Sequence, residues 1–446
     1  MKTYGLVWNG ARGFSRGICG LGFLVILGPG AVKAAGTASG AAAKKPVPIT
    51  HLLNREIRVV RARQLTKGGQ SVAWAPVANR ILLSLKGRDR YYRVHLYTPE
   101  GIPRACLTLG MTGVRLHRGN ASWYPSGEFV VFTSQILGSG TYRMSLPANG
   151  LNSNIWLTDR DGESFWQLTF VSGSVTAPKG VVFPFFSPDG RILAWAGNTG
   201  KYDPDKYTWG QRAIYLGDFS FDDMGRPHLR HTRMLQPGER KDFYETHGFT
   251  PDGSRLLFSA DIHKNQSVFG LDICEWDLKK HKLVMLTDTP RVWDRYAAIS
   301  PDGRKIVWAS NAGQPLQNPI FRTSDWKRFL RSEIWIMNSD GSDPRQLTHF
   351  NTKSAVEYAG KRAFVGEIAW APDNRRLAAV VNRENQWGNI EPYTYIIELG
   401  KAIPKGTVQK RRRKKPAAPG GKPKRGRKKA AAGQRLPARP VLPLQW

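Results

Sequence analysis

Phe185-Phe186-Ser187-Pro188-Asp189-Gly190-Arg191-Ile192-Leu193-Ala194-Trp195-Ala196 is the stretch on which the reading of this chain turns. One apolar run enters Pro188-Asp189-Gly190 and another leaves it. Proline presets φ at the first corner of a tight turn, aspartate bonds its own backbone, and glycine accepts positive φ. Two strands joined this way make a hairpin. The hairpin recurs, anchored at Pro76, Pro125, Pro188, Pro251, Pro301 and Pro372. The turn chemistry is complete at Pro188, Pro251 and Pro301. It is altered at Pro125-Ser126-Gly127 and Pro372-Asp373-Asn374, and at Pro76 only the proline and its flanks remain.

A second element follows each hairpin, clearest in Ile155-Trp156-Leu157-Thr158-Asp159 and Ile334-Trp335-Ile336-Met337-Asn338. A third ends the unit: Cys106-Leu107-Thr108, Gln167-Leu168-Thr169, Met234-Leu235, Leu286-Thr287 and Gln346-Leu347-Thr348. Each unit therefore holds four short strands, the content of a propeller blade, and six units suit a closed ring. The sixth lacks its outermost strand, while Gln64-Leu65-Thr66 stands unused ahead of the first hairpin. The expectation is an all-β fold: a six-bladed β-propeller of four-stranded blades over residues 54–400, its N-terminal strand closing the last blade, with disordered termini. Such a clasp leaves no open edge.

These motifs resemble the TolB-like β-propeller repeat family, over roughly residues 61–400. The resemblance implies the propeller fold and says little of activity. The family's namesake carries an α/β domain ahead of its propeller. Here a short linker stands at that place, so the namesake's role in the Tol–Pal envelope system is not carried over.

The formal net charge is +33. Residues 401–446 supply +16 of it with no acid, and residues 1–60 supply +7, which leaves +10 for residues 61–400. Residues 1–35 read as a signal peptide: Lys2, Arg12 and Arg16 precede a short apolar core, residues 21–27, and small residues follow. That places the protein in the periplasm or otherwise outside the cytoplasm, with no transmembrane span in the mature chain. Residues 36–53 read as linker. Residues 401–446 read as a basic tail whose block Lys410, Arg411, Arg412, Arg413, Lys414 and Lys415 contacts a polyanionic surface. Of the three cysteines, Cys19 lies in the leader, and Cys106 and Cys274 read as small buried hydrophobes.

Connections from an outer strand to the next inner strand, and from second to third strand, open on one face of a propeller. There they surround the channel mouth. The proline turns lie on the other face, so Asp189, Asp252 and Asp302 read as turn formers. Candidate mouth residues, taken from just before each inner strand, are Arg118, Asn120, Phe183, Glu245, His247, Asp294, Tyr296 and Glu367. Loop aromatics Trp209, Trp326 and Trp387 are candidates to anchor a partner or stack on a sugar. Asp203 and Asp205 fall short of a calcium ligand set. The histidines show no metal-ligand spacing, and no Gly-x-Ser-x-Gly elbow occurs, so no metal or cofactor is expected.

The reading that follows is a monomeric binding or scaffold module. A protein partner or envelope glycan docks at the channel face, and the tail holds the module near an anionic surface. One alternative is a propeller lyase or hydrolase with its site around Glu245, His247, Asp294 and Glu367. The other is polyanion or nucleic-acid binding through the tail.

Overall fold

A computed structural model of the chain describes residues 49–111, 115–139, 145–174, 178–200, 209–239, 243–314 and 326–401. The expected leader, most of the linker, Asp203 and Asp205, and the tail from residue 402, including its basic block, lie outside the described residues.

The repeated hairpin forms for local reasons. Ser187 Oγ donates to Asp189 Oδ1 at 2.6 Å, and the Arg191 N–H donates to the same oxygen at 3.1 Å. Thr250 and Ser300 hold Asp252 and Asp302 in the same way. Gly190, Gly253 and Gly303 have φ of 72°, 71° and 72°, the left-handed corner that glycine tolerates. Asn374 takes that corner at φ 55° in the last repeat. These aspartates build turns.

Six antiparallel sheets of four strands result. Blade 1 holds Val72–Trp74, Ile81–Lys86, Tyr92–Tyr97 and Pro103–Cys106. Blade 2 holds Arg118–Trp123, Phe129–Gln135, Ser153–Asp159 and Phe165–Gln167. Blade 3 holds Val181–Phe186, Ile192–Asn198, Arg212–Phe221 and Pro227–Leu235. Blade 4 holds Tyr244–Phe249, Arg255–Ala260, Asp272–Asp277 and Lys282–Met285. Blade 5 holds Asp294–Ile299, Lys305–Ser310, Glu333–Asn338 and Arg345–Gln346. Blade 6 holds Ala363–Trp370, Arg376–Glu384 and Ile390–Lys401, and its outermost strand is Ile57–Lys67.

That last pairing closes the ring as expected. Ile57–Lys67 runs antiparallel to Ile390–Lys401, with Ala62 opposite Ile397. Val72, Trp74, Ile81 and Leu83 of blade 1 share one apolar cluster with Ala378, Val380 and Ile396 of blade 6. The stretch read as linker differs at its end. Ile49 and Leu52 are buried with Val307, Ile334 and Phe350, and the buried Asn54 accepts from Lys305 Nζ at 2.7 Å. Apolar residues spaced three apart in a polar run pack it against blades 5 and 6.

The recurring Leu-Thr has a structural use. Thr108, Thr169, Thr287 and Thr348 each accept, through Oγ1, the N–H of the second or third residue of their blade's third strand, at 2.8–3.2 Å. Each threonine fastens the short outer strand to its neighbour. Cys106 and Cys274 are free thiols, Cys274 buried and Cys106 partly so. Among the described residues no helix is long and apolar enough to cross a membrane.

Candidate functional site

The inner strands carry the site through a shared irregularity. Register shifts fall between Gly119 and Ser122, Val182 and Phe185, Thr246 and Gly248, Arg295 and Ala298, and Val365 and Ile368. Asn120, Phe183 and Tyr296 have φ of 45°, 55° and 53° at these bulges. A bulge re-aims side chains and bends the strand. The candidates therefore sit within the inner strands, not before them.

They meet in two groups, with blades 6, 1 and 2 joined through Glu367. Its Oε1 accepts from Asn120 Nδ2 at 3.1 Å and its Oε2 accepts from the Val72 N–H at 3.2 Å. Burial pushes the Glu367 carboxyl up to about 8, against the pull of those two donors. Asn120 Oδ1 has no partner. A protonated Glu367 can donate to it once the amide is turned, an assignment hydrogen-bond logic leaves open.

Blades 3, 4 and 5 meet around Tyr296. Phe183 lies edge-on to it at 6.4 Å between ring centroids, and the Phe183 carbonyl accepts from Thr246 Oγ1 at 2.5 Å. His247 sits 6.5 Å from the Tyr296 ring and pairs with Ser259 Oγ at 2.6 Å. Burial, then the Arg295 charge, pulls His247 down to about 3, so the ring is neutral. Burial pushes the Tyr296 phenol up to about 12.

Behind them lies a buried charge triad. Glu245, 0% exposed, accepts from Arg212 Nη1 at 2.7 Å, and from Arg295 Nε and Nη2 at 2.7 and 2.6 Å. Burial lowers Arg212 to about 10, leaving it charged. Burial also works against Arg295, but the Glu245 carboxylate holds it above its ordinary value. The Arg295 guanidinium stands 4.5–5.0 Å from the rings of Tyr296, Trp293 and Trp209.

Of these side chains, Arg295 and Tyr296 border a cavity of about 980 Å³ at the channel mouth, on the face away from the proline turns. Trp209, Trp293, Trp326, Tyr296 and Phe364 line it with Arg295, Lys67 and Lys86. Of the expected loop aromatics, Trp209 and Trp326 reach the cavity. Trp387 does not; it is 75% exposed, in the connection before Ile390–Lys401.

Of the expected mouth residues Tyr296 lines the cavity, while Arg118, Asn120, Phe183, Glu245, His247, Asp294 and Glu367 stay outside its wall. Arg118 is buried and donates to the Thr108 carbonyl at 3.4 Å. Asp294 accepts from Trp308 Nε1 at 3.0 Å and Thr289 Oγ1 at 2.8 Å, and burial pushes it up to about 6. Glu245, His247, Asp294 and Glu367 each have their own partners and do not converge on one pocket. Arg295, Arg212, Trp293 and Phe364 escaped the sequence reading. Strict alternation puts Asp294 and Tyr296 on one face and Arg295 on the other, and the bulge breaks that alternation.

His263 and Asp288, in blade 4's connections, and Asp272, at the start of its third strand, bring side-chain ligand atoms within 4.8 Å of one another, although their spacing gave no sign of it. Asp272 is already engaged, by Thr287 Oγ1 at 3.1 Å, the Thr289 N–H at 2.7 Å and Gln266 Nε2 at 2.6 Å. Glu333 in blade 5 serves its own threonine, Thr348, in the same way, so Asp272 fills a place the repeat uses for structure.

The two faces differ in charge. In the described connections of the mouth face, eight exposed Lys or Arg side chains stand against three exposed Asp or Glu. On the turn face the described connections hold six against eleven. Exposed large apolar side chains also favour the mouth face, seven to three in the connections, among them Leu137, Phe170 and Trp387.

No protein-family model matches the chain, and no curated protein sequence matches it. Solved structures similar to it include a candidate TolB from Agrobacterium tumefaciens, 18% identical with a TM-score of 0.44, over 66% of this chain and 87% of that one. An oligogalacturonate lyase from Vibrio parahaemolyticus is 10% identical with a TM-score of 0.41, over 77% and 96%. A puromycin hydrolase is 15% identical with a TM-score of 0.43, over 75% of this chain and 45% of its own. The activities in these names belong to those proteins.

Proposed function

We propose that this chain is an extracytoplasmic binding module whose channel-mouth face docks a partner of net negative charge, part of which enters the cavity. The observation that carries the reading is the coincidence, on one face, of the cationic connections, the exposed apolar side chains and the aromatic cavity. Cations speed the approach of an anionic partner, and desolvated aromatics and apolar anchors supply affinity. The test reverses charge on each face separately. Lys353→Glu with Lys361→Glu should cut capture of the native partner about tenfold or more. Lys279→Glu with Lys280→Glu on the turn face should leave it within about twofold. Equal loss from both pairs sinks the reading.

The tail supports a second contact, with an anionic surface. Deleting residues 405–446 should abolish binding to anionic vesicles at low salt and leave mouth-face capture in place, because the tail's cations act by counterion release. Export rests on the leader at residues 1–35, and N-terminal sequencing of the mature protein tests it.

A further inference from the structure

We propose that Arg295 anchors a carboxylate-binding subsite in the mouth cavity, taking a ligand whose carboxylate meets Nη1 while its body lies on the aromatic wall. The proposal rests on the mouth-face reading and names the chemistry of that site.

Arg295 is a built donor. Glu245 takes its Nε and Nη2 in a two-pronged contact, which fixes the plane of the guanidinium. Nη1 has no protein partner and is not among the sealed, unsatisfied atoms, and Arg295 borders the cavity at 4% exposure. A side chain this buried, with one donor edge turned to open space, is aimed at that space. Trp209, Trp293 and Tyr296 pack around the guanidinium and keep solvent from screening it.

Charge sets the ligand class. The triad holds two guanidiniums and one carboxylate, so it carries a net positive charge that no described acid beside it cancels. Glu367, close enough for its charge to act on Arg295, is held towards its neutral form by burial. Lys67, also in the cavity lining, already has a partner in Glu391 at 3.1 Å. A cationic ligand is repelled, and a neutral one leaves the charge unanswered. A planar carboxylate matches the free edge of a guanidinium.

An acidic side chain and a uronate sugar both supply that group, and the test separates them. The full-length protein is titrated with hexaglutamate and with a triuronate saccharide, each beside its uncharged counterpart, and tryptophan fluorescence is read. One carboxylate series is expected to give a saturable change that its neutral counterpart does not. Arg295→Met should weaken that binding about tenfold or more, since a charge-assisted hydrogen bond is lost. Arg295→Lys should fall between, and Lys279→Ala on the opposite face should match the parent. In Arg295→Met, Glu245 keeps Arg212 as a partner. Should that variant not fold, Arg295→Lys carries the comparison. Parent-like binding by the Arg295 variants, equal binding of the neutral probes, or no binding of either series overturns the anchor. If Trp326→Ala abolishes binding while the Arg295 variants do not, the mouth reading stands and the anchor alone falls. If neither substitution moves a measurable binding, the mouth cavity is not its seat, and both fall.

Discussion

Glu367 shows how one side chain on the axis is governed by its surroundings. Its carboxyl is raised to about 8 in the folded protein and reverts to an ordinary value on unfolding. A carboxyl raised by folding holds its proton longer in the native state, so stability falls as pH climbs from the unfolded value to the folded one. Between about pH 4.5 and 8 the parent should lose stability relative to Glu367→Gln, which cannot ionise. Near pH 5 the two should melt together. Near pH 9 the glutamine variant should melt a few degrees higher, a difference tempered by the side chain's partial exposure. Thermal melts across that range check it, and a constant offset at all pH values counts against the assignment. Glycines give a second contrast at this scale. Gly253 and Gly162 both have positive φ, 71° and 76°. A Cβ on Gly253 meets Pro188 at 3.6 Å, while one on Gly162 meets the Leu107 carbonyl at 2.4 Å. Gly253→Ala should cost about 1–2 kcal/mol of backbone strain. Gly162→Ala must also displace blade 1's backbone and should exceed about 3 kcal/mol in denaturant titration.

The inner strand is where sequence reading succeeds and then stops. Its turn end is local chemistry, and Pro188-Asp189-Gly190 or Ser300-Pro301-Asp302-Gly303 can be recognised without any partner. Its mouth end combines a bulge with contacts to other blades: Thr246 reaching the Phe183 carbonyl, Asn120 reaching Glu367 two blades away. No spacing in the chain encodes contacts between residues 247 apart. Asp294 and Tyr296 were therefore legible as residues near the mouth end of an inner strand, although placed before it and not within it, while Arg295 between them was not legible as the cavity's cation. Trp326, where the described part of the long connection of blade 5 resumes, lines the cavity. The triad that the bulges assemble is an element-scale device, since it ties the third strand of blade 3 to the inner strands of blades 4 and 5. Glu245→Gln would leave two guanidiniums facing each other in the interior. The expected cost is about 3–5 kcal/mol, because an ion pair broken at one partner leaves buried charge uncompensated. Chemical denaturation measures it, and a loss below about 1 kcal/mol would show that water reaches the triad.

At the scale of the whole molecule the ring is held shut by a strand from the far end of the sequence. Blade 6 depends on Ile57–Lys67, and the segment before it anchors on blade 5 through Asn54. The outer strands of blades 1, 2, 4 and 5 are two to four residues long, whereas the clasp is eleven. Those short strands expose little edge. The nine-residue outer strand of blade 3 instead begins at Pro227, carries Arg230 and Arg233, and bends at His231, φ 46°. Proline, charge and a bulge all discourage pairing with another chain. The clasp has no such need, because its work is to pair. If it is the last element to zip and the first to open, tying it down should stabilise the entire ring. Arg61, exposed, and Glu398, partly exposed, sit opposite each other in the clasp, with a 3.7 Å ion pair that contributes little by itself. Replacing both with cysteine should allow a disulfide across neighbouring strands without touching the core. That bond closes a loop of over three hundred residues and should add about 2–4 kcal/mol, less if native geometry is strained. The oxidised double variant should melt as one transition above the parent, and reduction should return it to the parent's midpoint. Identical melting of the oxidised and reduced forms would place the opening of the ring at some other blade junction.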